Sequence, residues 1–294
     1  KSKYDIERDI ATANTRLAKT WRNRKVKWSA IVDKCRHTRR TSETVAEDGR
    51  MDKDEQSAIK DVGGFVGGYL NEGKRKTSNV RLRSMATLDI DYGTDDVWDD
   101  LTMEFDCAAL LYSTHKHTPE TPRYRIVIPF MRPVTPEEYE PICRRIAERM
   151  GIDLFDVSTY QTARLFYWPS TSSDGQYVFE CQDGKPLDPD AVLRSYVNYA
   201  DVSEWPMGSR EKNVIRHEIH QAEDPMQKKG VIGAFCRTYT IEEAIAKFLG
   251  EVYEPTAMEG RYTYKAGSMA GGLICYDGKF AYSFHETDPA GRML

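Results

Sequence analysis

The order of apolar runs between Met85 and Glu180 constrains this chain more than any other feature. Met85–Tyr92 (MATLDIDY) reads as a strand that is apolar and then acidic, closed by Gly93. Residues 94–105 read as helix, and Cys107–Ser113 (CAALLYS) as a second, buried strand. A loop, 113–122, leads into a third strand, Arg123–Pro129 (RYRIVIP). Pro136–Met150 is an amphipathic helix with a Thr-Pro-Glu-Glu start signal. A short extended piece, Asp153–Asp156, precedes two further strands, Ala163–Trp168 (ARLFYW) and Tyr177–Glu180. The order β-α-β-β-α-β is the RRM-like, or ferredoxin-like, arrangement of an α/β (α+β) fold. Such a sheet leaves one face open for a site.

Polar residues at the ends of these strands carry the chemistry. Asp89 and Asp91 stand two apart, so the period of a strand puts both carboxylates on one face. Two neighbouring acids repel unless a cation lies between them, and oxygen ligands favour Mg²⁺ or Mn²⁺. Asp156 is the third acid that a two-metal site needs, with Asp153 as the alternative. Taken singly, each is equally readable as a cap or turn residue. Ser113, His115 and Lys116 together offer a hydroxyl, an imidazole and an ammonium suited to a triphosphate. Arg125 shares a strand face with Arg123, and Arg164 sits in an apolar run, where a buried arginine needs an anionic partner. That partner is a nucleotide phosphate on one reading and a sheet-edge aspartate on the other.

The front of the chain has a different character. Residues 1–85 hold 21 Lys and Arg against 12 Asp and Glu, although the 294-residue chain carries a net charge of −4. A basic front on an acidic protein points to a polyanionic partner. Residues 4–20 read as a polar arm with some helix. Residues 21–40 interleave cations with Trp21 and Trp28, a mixture suited to single-stranded nucleic acid, unless both rings are core anchors. Arg22, Arg24, Lys25, Arg39 and Arg40, with Lys74, Arg75 and Lys76 of a second basic tract, are the candidate DNA contacts beside Trp21. The GGFVGG stretch lacks the spacing of a phosphate-binding loop and is expected to allow a turn or a close backbone approach.

No run approaches the roughly 18 apolar residues of a membrane span, so no membrane partner is expected. Cys35, Cys107, Cys143, Cys181, Cys236 and Cys275 lie apart without a CxxC pair, which predicts buried free thiols, no disulfide scaffold and no zinc. Three regions are expected: 1–190 as the main domain, 191–230 as a linker, and 231–294 as a small module of one helix and hairpins. The chain opens at Lys1 without a methionine, as expected of a piece of a longer protein.

The order of LDID (Leu88–Asp91), STH (Ser113–His115) and FD (Phe155–Asp156) resembles the three motifs of archaeo-eukaryotic-type primases. The fuller wording is similar to the primase-polymerase part of phage and prophage virulence-associated E-type replication proteins. The phrases are KDVGGFVGGYLNEGKRK, RSMATLDIDY, STHKHTPETPRYRIVIP and DVSTYQTARLFYWPS, with IGAFCRTYTIEEAIAKFL and GGLICYDGKFAYSFHETDPA in the tail. The resemblance implies an archaeo-eukaryotic primase fold and template-directed nucleotide polymerisation on single-stranded DNA in a bacterial cytoplasm. By that resemblance Asp89, Asp91 and Asp156 hold Mg²⁺ or Mn²⁺. Ser113 and His115 contact an incoming NTP or dNTP, with Arg125 and Arg164 in support. It also implies a superfamily 3-type helicase domain further along the same polypeptide. Two other functions stand beside polymerisation: a non-catalytic initiator that binds origin DNA, which the basic front fits equally well, and a metal-dependent or HUH-type nicking nuclease using His115 and His117, whose pattern Lys116 between them fits poorly.

Overall fold

The computed structural model describes residues 4–213, 223–284 and 288–289, and the chain divides into two units, 1–193 and 194–294. The first unit contains β1 (Glu7–Ala13), β2 (Arg22–Lys27), α1 (Trp28–Arg36), β3 (Arg39–Arg40), α2 (Val45–Asp48), α3 (Lys53–Ile59), β4 (Gly64–Val66) and β5 (Gly68–Leu70). It continues with β6 (Val80–Ile90), α4 (Val97–Glu104), β7 (Ala109–Ser113), β8 (Tyr124–Val134) and α5 (Pro136–Met150). The last elements are β9 (Phe166–Tyr167), β10 (Ser170–Thr171), β11 (Phe179–Gln182) and α6 (Pro189–Leu193). Two main sheets result, β2-β1-β4-β9 and β11-β7-β8-β6-β5, each with antiparallel neighbours.

The expected β-α-β-β-α-β order is present in the larger sheet, with one change. β6, β8 and β7 lie side by side as the first, third and second strands of that arrangement. The fourth strand, expected beside the first, is reduced to a single antiparallel bridge between Ile90 and Phe155. Thr135 and Glu138 form a capping box at the start of α5, with Pro136 in the first turn, as the Thr-Pro-Glu-Glu signal predicts. A core of Ile10, Trp28, Ile31, Phe65, Met85, Leu110, Tyr112, Val127 and Phe166 joins residues of both sheets and α1.

The segment 4–20 is not an arm with helix. Its residues 7–13 form β1, an inner strand of the smaller sheet, with Ile10 and Ala11 buried. Both tryptophans are core anchors: Trp21 is 2% exposed and Trp28 7%. GGFVGG carries the chain from one sheet into the other, because β4 belongs to the smaller and β5 to the larger. A Cβ on Gly64 would lie 2.3 Å from the Phe166 carbonyl oxygen, and one on Gly68 2.0 Å from that of Leu82, so only glycine fits.

Arg83 of β6 is fully buried. Its Nε donates to the Gly67 carbonyl at 3.1 Å, Nη1 to the Thr162 carbonyl at 2.5 Å and Nη2 to Thr87 Oγ1 at 2.7 Å. The guanidinium lies 3.9 Å from the centre of the Tyr139 ring of α5.

Cys35, Cys107 and Cys143 are buried free thiols, as expected, whereas Cys181 is exposed. Among the described residues no helix is long and apolar enough to cross a membrane. The second unit holds a four-stranded antiparallel meander, Tyr253–Pro255, Arg261–Tyr264, Leu273–Tyr276 and Phe280–Ser283. Its helix Ile241–Phe248 begins on Thr240 in a capping box with Glu243. Residues read from sequence as linker contribute a small core of their own, Tyr196, Val202 and Trp205, against Met269 and Phe284. The phrase around His285–Thr287 and residues 290–294 lie outside the described residues.

Replacing Arg83 by Met keeps much of the volume but leaves the Thr162 carbonyl without its donor and takes one donor each from the Gly67 carbonyl and the Thr87 hydroxyl. Arg83→Met is expected to lower unfolding free energy by about 3 kcal/mol in urea titrations. An unchanged midpoint would show that these bonds do not hold the two sheets together.

Candidate active site

A cavity of about 520 Å³ opens where the ends of β6 and β8 meet the turns before β9 and after α5. Asp89, Asp91 and Asp156 all line it, together with His115, Lys116, Arg125, Arg164 and Arg75. These residues come from six segments of the chain, Arg75 among them expected from the sequence as a DNA contact and not as part of this site. Lys60, Arg16, Tyr167 and Ser170, not singled out in the sequence, also line it. Those four come from turns and short strands with no periodic signal to mark them.

Backbone bonds fix the carboxylates. Asp89 is the next-to-last residue of β6, opposite Arg125 in the register with β8. Its amide donates to Thr159 Oγ1 at 2.8 Å, and its carbonyl accepts from the Asp156 amide at 2.9 Å. The loop carrying the third acid is therefore hung directly on the first. Asp156 also caps the next short 3-10 turn, accepting from the amide of Ser158 at 3.1 Å and from its hydroxyl.

Each acid meets an arginine. Arg125 Nε stands 3.5 Å from Asp89 Oδ1, Arg123 Nη1 3.1 Å from Asp91 Oδ1, and Arg164 Nη2 2.9 Å from Asp156 Oδ2. The Asp89 contact is too long for a hydrogen bond. Asp89 Oδ1 and Arg125 Nε are both buried without a hydrogen-bond partner. Burial raises the Asp91 carboxyl above the ordinary aspartate value; the charges of Asp89 and Asp156 push it further, and Arg123 opposes them. Burial works against the Arg125 charge, and Asp89 with the neighbouring tyrosines more than offsets it, leaving it raised.

The donor set suits a hard divalent cation in chemistry, being oxygen-only with one orphaned, buried carboxylate oxygen. The side chains are held by arginines, and among the described residues no group of three or more His, Cys, Asp or Glu is poised to hold a metal ion.

His115 is buried with both ring nitrogens engaged, Nδ1 with Ser170 Oγ and Nε2 with Glu43 Oε1, each at 3.0 Å. Burial pushes Glu43 up, but bonds from Thr41 and its own backbone, with the His115 charge, hold it below the usual carboxylate value. Lys116 reaches across to Gln56 Oε1 at 2.5 Å. Burial lowers the Lys60 ammonium, and the charges of Arg125 and Lys116 lower it further.

Several expected positions differ. Ser113 does not reach the cavity: it is fully buried, and its Oγ accepts from the Val178 amide at 2.9 Å, holding the approach to β11. Arg164 stands in a turn before β9 and not in a core strand. Asp153 is exposed and does not line the cavity. Trp21 offers no free ring face: its Nε1 donates to the Ala18 carbonyl at 3.2 Å, and Arg75 lies 5.5 Å above the ring. Arg40 binds the Ser172 carbonyl at 2.9 Å and that of Gly175 at 2.5 Å, so it clamps a loop. Lys74 pairs with Glu72 at 2.7 Å. Arg22, Arg24, Lys25, Arg39 and Lys76 are exposed, the first three on the edge strand β2. His117 accepts from the Arg123 amide at 3.2 Å and packs on Tyr124, so it does not join His115 as an HUH pair would.

The profile of the VapE N-terminal domain matches residues 1–208, and the chain belongs to that family. Among curated proteins none matches. Among solved structures the chain is similar to the AEP domain of the cyanophage S-2L primase-polymerase, at 14% identity over 65% of this chain and 89% of that one, with a TM-score of 0.36.

The ionised Asp91 costs stability in this site, because its raised carboxyl is stabilised by folding only while protonated. Asp91→Asn is expected to raise the thermal midpoint at pH 7. The gain should shrink as pH falls through the raised value towards the ordinary carboxylate range, where the parent becomes neutral too. Scanning calorimetry at stepped pH measures it, and a midpoint that falls at pH 7 would mean that the Arg123 pair outweighs the repulsion.

Proposed function

We propose that this chain is a DNA primase-polymerase module that joins nucleotides on a single-stranded template. Three carboxylates and a ring of cations around one cavity support that reading most directly, together with membership of the VapE N-terminal domain family. In the reaction the 3′-hydroxyl oxygen attacks the α-phosphorus of a nucleoside triphosphate. The hydroxyl proton goes to solvent, a new phosphodiester bond forms, and the bond to pyrophosphate breaks. Asp89, Asp91 and Asp156 would hold Mg²⁺ or Mn²⁺, which when bound neutralises charge on the phosphates and eases loss of the hydroxyl proton.

Lys60, Lys116, Arg75 and Arg164 are the cations suited to the triphosphate, as all four line the cavity. Arg125 is less free, since Asp89, Phe166 and Tyr167 surround its guanidinium. His115 would act from its fixed place between Ser170 and Glu43, as a group that shapes the phosphate end of the cavity. The exposed Arg22, Arg24 and Lys25 would meet the template backbone, with affinity that falls steeply in salt. The proposal includes a superfamily 3-type helicase domain further along the polypeptide.

One observation favours a second reading. Because every carboxylate is already matched by an arginine, the same cavity suits a non-catalytic initiator that binds DNA and needs no metal. Incorporation on single-stranded DNA, with and without a primer, in Mg²⁺ and in Mn²⁺, separates the two. Asp89→Ala and Asp91→Ala are expected to lower incorporation by about two to three orders of magnitude, with template binding retained. Binding without incorporation by the parent in either metal would support the initiator.

A further inference from the structure

A second, smaller cavity of about 290 Å³ lies on the first unit, lined by Lys34 and His37 at the end of α1, Thr38 and Arg39 after it, and Trp168 with Pro169. We infer that this pocket seats one nucleotide of a single-stranded DNA, with Trp168 under the base and Lys34 and Arg39 on the flanking phosphates. The inference rests on the proposed function for what the strand is for, though not for the binding itself.

Trp21 and Trp28, the rings among cations in the sequence, are both buried. Trp168 is a tryptophan that stays half-buried beside exposed cations. It is held rigid from behind by Phe65, stacked at 4.5 Å and 26°. Lys34 Nζ lies 5.8 Å from the ring centre. Arg39 is anchored through its backbone: its amide donates to the Pro169 carbonyl at 3.1 Å, and it pairs with Ser170 in the two-stranded sheet β10-β3. Backbone anchoring fixes the root of this exposed side chain, and its guanidinium has no hydrogen bond or ion pair among the described residues.

The lining contains no carboxylate. Asp61, beside Val62 of the same wall, is turned away to Thr15 Oγ1 at 2.5 Å and to the Arg16 amide. Cations alone would suit any polyanion, and a ring alone any apolar ligand. The two together suit a chain of alternating phosphates and bases. At 290 Å³ the pocket falls at the small end of the roughly 300–1,000 Å³ of ligand sites, fitting one residue of a strand better than a free cofactor. Trp168 and Pro169 stand in sequence between Tyr167 and Ser170, which line the larger cavity, so one stretch of chain serves both.

The test is anisotropy of a labelled oligo(dT) with the whole chain, free of metal and triphosphate, over a range of salt. The double variant Lys34→Ala, Arg39→Ala alters two exposed side chains and should fold as the parent does. Its affinity is expected to fall tenfold or more, and its salt slope to lose about 1.4, the share of two phosphates on a single strand. Trp168→Ala is expected to lose about tenfold, whereas Trp168→Phe, which keeps a flat face, should stay within threefold. Affinity within twofold of the parent and an unchanged slope in the double variant would overturn the inference. So would equal losses on oligo(dT) and on duplex of the same length. If the parent binds in this pattern yet incorporates nothing, the pocket stands and the polymerase reading falls.

Discussion

A guanidinium buried without a carboxylate organises this molecule. Stripping water from a charged group is costly unless its donors are met, and Arg83 meets them with two carbonyls and a hydroxyl. Each partner belongs to a different piece of the structure. Gly67 is the residue at which the chain passes from one sheet to the other, and its carbonyl also accepts from the Ser84 amide at 2.8 Å. Thr162 begins the turn that carries Arg164 towards the cavity. Thr87 lies two residues before Asp89 and is bonded in turn to Tyr139 of the helix behind. The sheet junction, the helix and two walls of the cavity are thereby fixed to one side chain.

The electrostatics of the cavity follow from how its charges are tethered. Backbone bonds fix Asp89 and Asp156, and the ladder between β6 and β8 sets Arg125 opposite Asp89. Asp89 is nearly buried, Asp91 and Asp156 are half-exposed, and the burden of mutual repulsion falls on Asp91 at the strand end. On the proposed function, a triphosphate entering the cavity would compete with Asp156 for the Arg164 guanidinium. Its arrival and the freeing of that carboxylate oxygen would then be one event.

Much of the central fold was legible because its strands are apolar and bounded by clear turns. α5 has the boundaries read from its start signal and its period. β6 begins at Val80 and not at Met85, because Arg81 and Arg83 make its first half read as polar. β1 was missed for a similar reason: ERDIATA places a buried Arg8 beside Asp9 and hides the alternation. The three acids could be found because each closes or follows an apolar stretch. Lys60 and Arg16 could not, since nothing local distinguishes a loop residue that faces a cavity from one that faces water. Trp21 and Trp28 show the complementary difficulty, that a ring among cations has the same composition in a core as on a surface.

The fourth strand of the larger sheet survives as one bridge, Ile90 to Phe155, with amide bonds from Asp156 to the Asp89 carbonyl and from Tyr92 to the Leu154 carbonyl beside it. A full strand would transmit any change in length along the whole ladder and shift every side chain to the opposite face. So short a pairing transmits nothing beyond itself. The stretch between the end of α5 and Leu154 is thus a joint that could gain or lose residues, with the third carboxylate returned to its place by the same few bonds.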